Sequence, residues 1–190
     1  MLEYWRERLP LHVFGPVAVA LTVPAHLTVP FEAVAVAIDT AFAFLLLAQF
    51  RLWDDLVDRR VDAVRHPERV LVRASNTTTY VVACIALGVL NALIVLQRSG
   101  AHSALPLLGA LTVVLICAYG QPPKSAARDL LRLAKYPVFV LVLAVGRPGA
   151  SLRVAVYSAV AAFAAAVAYE VHHDHSAALL GFFGGTHESE

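Results

Sequence analysis

The sequence predicts an all-α, polytopic membrane bundle of about six transmembrane helices. Three observations carry that prediction. Apolar residues make up 59% of the chain and charged residues only 15%, a balance that belongs to membrane proteins. The apolar residues gather into six runs, most of them near the roughly 20 residues that cross a bilayer. The basic residues fall mainly in alternate connections, the bias that orients membrane helices. There is no internal repeat, low-complexity tract or polar second domain, so residues 1–190 read as one integral-membrane domain.

The elements follow in order. Met1 to Pro10 carries Arg6 and Arg8, and no small-residue cleavage site follows the first apolar run. That run, Leu11 to Val29, therefore reads as a retained helix and not as a signal peptide. The second run is Phe31 to Phe50, followed by a charged loop. The third is Thr78 to Leu96 and the fourth Ser103 to Tyr119. The fifth, Tyr136 to Val145, is too short to span unless it begins near Ala127, with Arg128, Arg132 and Lys135 reaching toward the interface. The sixth is Val154 to Tyr169. Cys84 and Cys117 lie inside apolar runs and read as small core residues, with no disulfide framework.

A cytoplasmic N-terminus puts Arg6, Arg8, Arg51, Arg59, Arg60, Arg65, Arg69, Arg73, Lys124, Arg128, Arg132 and Lys135 on the cytoplasmic side. Only Arg98, Arg147 and Arg153 fall on the other. The expected product is a multi-pass protein of the cell inner membrane, its N-terminus and acidic motifs cytoplasmic. Nothing in composition or motif points to a nucleic-acid partner. Asp39 sits in the middle of the second run, where an ionised carboxylate costs about 2.5–3.5 kcal/mol on insertion scales. It is expected to face the protein interior near Asn91, Glu32 or Thr40, either lining a substrate cavity or held as a structural residue. His26 and His102 read as incidental residues at helix ends.

The chemistry concentrates in Arg51 to Arg73. Asp54, Asp55, Asp58 and Asp62 crowd into nine residues. At about 100° per residue, Asp55, Asp58 and Asp62 would share a helical stripe roughly 60° wide. Like charges so placed repel, and a hard divalent cation bridging to phosphate would make the stripe favourable. The alternative is a solvated loop of mixed charge. The sixth run ends in Glu170 and Asp174, spaced i and i+4, on the same side of the membrane. Two acidic faces at one surface suit a clamp of metal and pyrophosphate. His172, His173 and His175 cannot all face one ion from one helix and read as interfacial residues.

These residues resemble the UbiA-type membrane prenyltransferases. That family's first signature, Asn-Asp-x-x-Asp-x-x-x-Asp running into x-Pro-x-Arg, is similar to Asp54-Asp55-x-x-Asp58-x-x-x-Asp62 followed by His66-Pro67-Glu68-Arg69. Asp54 stands where the family has Asn. The second signature, Asp-x-x-x-Asp, is matched by Glu170-x-x-x-Asp174 with Glu in the first place. Tyr119-Gly120-Gln121-Pro122-Pro123 and Leu131-Arg132-Leu133-Ala134-Lys135 resemble the family's segments before its fifth helix. The resemblance implies an Mg²⁺-dependent enzyme that moves an isoprenyl group from a prenyl pyrophosphate to an acceptor. Asp55, Asp58 and Asp62 would be catalytic and, with Glu170 and Asp174, would hold the metal. Arg69, Lys135, Arg132, Tyr119 and Asp54 would contact the substrate, cations being suited to phosphate oxygens.

The family has about nine membrane helices, so a six-span chain resembles one shortened by its last three. The expectation is then a fragment, a chain completed by a partner subunit, or a reduced homologue. The alternative function is a non-catalytic membrane protein of the same fold that binds lipid pyrophosphate or a partner. A phosphatidyl-alcohol transferase lacks its Asp-Gly and Ala-Arg signature here, and a transporter is disfavoured because the charges lie at the surface and not the midplane.

Overall fold

The structure is a computed structural model that describes residues 1–121 and 125–173, and the elements among them are helices. Helix α1 (Leu2–Arg8) meets α2 (Leu11–His26) at a 67° bend. Pro10 makes that bend: its ring disfavours helical geometry at the residue before it, and Leu9 lies at φ −135°, ψ 54°.

Helix α3 (Ala33–Arg65) runs for 33 residues, or about 50 Å at 1.5 Å per residue. A hydrocarbon core is only about 30 Å thick, so one end of α3 projects well beyond its apolar stretch. The charged connection expected after Phe50 is therefore helix, the form that the stripe spacing of its acids requires. The acidic segment is the continuation of the same helix. It stops where Pro67 restricts His66, which adopts φ −141°, ψ 61°.

A four-residue turn, α4 (Val70–Arg73), leads to α5 (Thr78–Leu96) and α6 (Ala101–Tyr119). After α6 come α7 (Ala126–Leu133), α8 (Lys135–Val145) and α9 (Leu152–His173). Pro137 explains the break between α7 and α8, since its ring would clash with the Leu133 carbonyl in a continuous helix. Helices α3, α5, α6 and α9 are long and apolar enough to cross a membrane, and the bent α1–α2 pair makes a fifth candidate. The six expected spans are thus four by length, or five with that pair. The exception is α8, whose 11 residues extend only about 16 Å.

Short as it is, α8 forms the centre of the bundle, in contact with α2, α3, α6 and α9. Its Phe139, Val140, Val142 and Leu143 are buried among Leu21 of α2, Phe42 and Leu46 of α3, Leu111 and Leu115 of α6, and Ala155 of α9. Gly100 permits the tightest approach: a Cβ there would lie 1.8 Å from the Val145 carbonyl oxygen. A second small core, Tyr4, Leu52, Val70, Leu71 and Tyr80, fastens α1 to the projecting end of α3. Outward faces of α5, α6 and α9 stay apolar, with Ile85, Ile116 and Val160 exposed, as lipid-facing surfaces are.

Candidate functional site

Helices α3 and α7 each present an i, i+4 pair of charges, the spacing that puts two side chains on one face. Asp54 and Asp58 come from α3, Arg128 and Arg132 from α7, and Lys135 opens α8 one residue past the break. The pairs meet. Asp54 accepts hydrogen bonds from the Tyr119 hydroxyl and the Lys135 ammonium, and the Arg132 Nε lies 3.9 Å from its Oδ1. Asp58 accepts from Arg128 at 2.6 Å and from Arg132 at 2.8 Å. Arg132 thus bridges the two carboxylates.

Burial grades the cluster. Asp54 is 2% exposed, whereas the Asp58 and Arg132 side chains keep 20% and 25% of their surface. The inner pair is enclosed and the outer pair opens to the surroundings. Burial works to lower the Arg132 pKa, and the Asp54 and Asp58 carboxylates outweigh it, holding the guanidinium above its ordinary value. Asp129 adds to that field. Asp54, Asp58 and Asp129 thus all act on Arg132, while the bonded cluster itself holds two carboxylates and three cations. The aromatic side of the site is Trp53 against Tyr119, with ring centroids 5.7 Å apart, and Arg132 lies over the Tyr119 ring.

The other acids of the segment go elsewhere. Asp55, about 100° round the helix from Asp54, faces α1. It accepts from the Tyr4 hydroxyl at 2.9 Å and from Arg8 at 2.9 and 2.6 Å, with Arg51 at 3.6 Å. Asp62 pairs with Arg69 at 2.5 Å. The expected stripe of Asp55, Asp58 and Asp62 is thus divided among three sets of cations. Arg59 donates to the carbonyls of Leu71, Val72 and Ala74 and holds α4 in place.

Of the residues expected at a site, Asp54, Asp58, Tyr119, Arg132 and Lys135 are brought together. Asp55 and the Asp62–Arg69 pair make their contacts with other partners. Glu170 lies in the last turn of α9, a helix that contacts α7, and Asp174 lies outside the described residues. Among the described residues, no three His, Cys, Asp or Glu side chains form a ready cage for a metal. The two carboxylates of the cluster, Asp54 and Asp58, are each engaged by cations.

Sequence reasoning missed Arg128, whose i, i+4 spacing to Arg132 was the available signal. It also missed the partners of Asp39. Its carboxylate meets His26 at 2.8 Å and Arg98 at 2.5 Å. Asn91 pairs instead with Gln49 at 2.7 Å, and Glu32 with Arg147 at 3.0 Å. His26, read as incidental, is therefore a partner of the buried acid. The sequence matches no family model, no curated protein and no solved structure.

Proposed function

We propose that this chain is a membrane prenyltransferase that holds a prenyl diphosphate, with magnesium, at the Asp54–Asp58 cluster. One observation carries the reading. Two carboxylates, a tyrosine and three cations converge from α3, α6, α7 and α8 at one end of an apolar bundle. The charges there are close to balanced, so a diphosphate arriving with its metal can exchange partners without adding a large net charge. Arg128, Arg132 and Lys135 trade carboxylate oxygens for phosphate oxygens, which cationic donors bind well. Asp54 and Asp58 are then free to act as metal ligands. Bound magnesium would neutralise the charge that develops on the departing diphosphate.

The reaction balances simply. The bond from the allylic carbon to the diphosphate oxygen breaks with its electron pair on oxygen. An acceptor nucleophile bonds to that carbon and gives up its proton to water or to the oxygens of the departed diphosphate. Arg128, Arg132, Lys135 and the Tyr119 hydroxyl face the leaving group, and the apolar helix faces receive the isoprenoid tail. The positive-inside bias supports a cytoplasmic location for this end.

The second reading is a protein that binds lipid diphosphate without turnover. It is favoured by the ion pairing of Asp54, Asp55, Asp58 and Asp62, which leaves each acid to be released before a metal can bind. Membranes carrying the protein, given labelled geranylgeranyl diphosphate, Mg²⁺ and a panel of acceptors, separate the two. Transfer is expected, and Asp58→Asn should reduce it by at least about 100-fold, the scale seen when one electrostatic contact to a transition state is removed. Undiminished transfer by Asp58→Asn would overturn the proposal, and tight binding without diphosphate release would favour the second reading.

A further inference from the structure

Another flank of α3 carries a feature that the acid–base cluster does not use. Two adjoining cavities, of about 780 and 580 Å³, lie along it and share Phe44 and Leu45. The upper one is walled by Trp5 and Leu9 at the α1–α2 bend and by Ala48 of α3. The lower one continues between Gly15 of α2 and Ala37 and Ala41 of α3. Together they form one apolar groove from Ala48 to Ala37. Eleven residues of helix make it about 16 Å long, close to half the roughly 30 Å hydrocarbon thickness. The groove thus has the length of one leaflet.

Its polar end is asymmetric. Arg6 and His12 stand at the rim beside the bend. Arg6 is exposed and has no ion pair among the described residues. The acids of α1 are turned away, Glu3 toward Arg73 and Glu7 toward the Val70 amide. An apolar slot one leaflet deep, with an uncompensated cation at its mouth, complements an anionic amphiphile.

We infer that this groove binds one acyl chain of an anionic membrane phospholipid, its headgroup phosphate resting on Arg6 and His12. The site is distinct from the proposed diphosphate site, because the groove lies along the flank that bears Asp55, about 100° round α3 from Asp54. The bound lipid would occupy the angle between α1 and α2 and stabilise their bend.

The test uses the protein's own reporter. Trp5 lines the groove, and Trp53 is the other tryptophan in the sequence. A Trp53→Phe protein, reconstituted in phosphatidylcholine vesicles, is titrated with brominated phosphatidylglycerol or with brominated phosphatidylcholine of the same chains. Phosphatidylglycerol should quench Trp5 at a several-fold lower mole fraction. Adding Arg6→Gln and His12→Gln should bring the two curves together. Gly15→Phe should weaken quenching by phosphatidylglycerol, and helical circular dichroism checks that this variant folds; a Cβ at Gly15 meets nothing within 4 Å, so the ring enters open space. Equal quenching by both lipids, or unchanged quenching in a folded Gly15→Phe protein, would overturn the inference. So would stoichiometric displacement of the brominated lipid by an isoprenyl phosphate. None of these outcomes bears on prenyl transfer by Asp58→Asn, so the two readings fail separately.

Discussion

Helix α3 carries buried carboxylate chemistry at both ends, and the two ends are built differently. At the near end one acid, Asp39, has an oxygen on His26 and an oxygen on Arg98, and the three side chains keep only 5%, 7% and 12% of their surface. Arg98 also donates to the Leu143 carbonyl and lies over the Phe42 ring. One enclosed carboxylate therefore fastens α2, α3, α8 and the connection after α5. At the far end two acids share three cations and a tyrosine, and the outer pair stays partly open. A cluster with so little exposed surface can only be broken, whereas a partly open network can exchange its members. That contrast separates a fastening from a binding site better than the presence of acids does.

The largest expected effect tests the fastening. Arg98→Met leaves Asp39 buried with one partner fewer, and removing half of a buried pair costs about 3–5 kcal/mol. A marked fall in thermal stability in detergent is expected, with Asp58→Asn showing a much smaller fall. Equal losses for the two variants would erase the contrast.

A smaller effect should come from Lys135→Met, which strands Asp54 at the enclosed side of the network. The double variant Lys135→Met/Asp54→Asn should regain part of the loss, because the uncompensated charge is gone. Unfolding measured for both singles and the double gives the coupling directly, and simple additivity would show that the pair is not interdependent.

The smallest effect is expected at Tyr4→Phe. Only one hydrogen bond to Asp55 is lost, and Arg8 remains, so about 1 kcal/mol is expected. Limited proteolysis near α1 should register it before global unfolding does.

Much of the fold could be read from the sequence, because apolar runs of the right length leave few alternatives in a bilayer. Pro10, Pro67 and Pro137 mark real breaks. The helical spacing of the acidic segment was legible and its charges also suggested a solvated connection; the structure makes it helix, continuous with the apolar run before it. The site was legible in residue types and less so in grouping. Asp54 and Asp55 are adjacent in sequence, and only the helices packed on either side decide which of them meets Lys135 and which meets Arg8. Asp39 and His26 are 13 residues apart on different helices, and no periodicity links them.

Those two neighbouring aspartates have a mechanical consequence. One is gripped by α1 and the next by α6 and α8, so the angular setting of α3 about its long axis is held from two directions at once. A twist of the helix that improves one grip strains the other. Lifting α1, and with it Tyr4 and Arg8, away from Asp55 would remove one of the restraints on the setting of Asp54 and Asp58. An event at the amino-terminal helix is thereby geared to the spacing between opposite charges on the far flank.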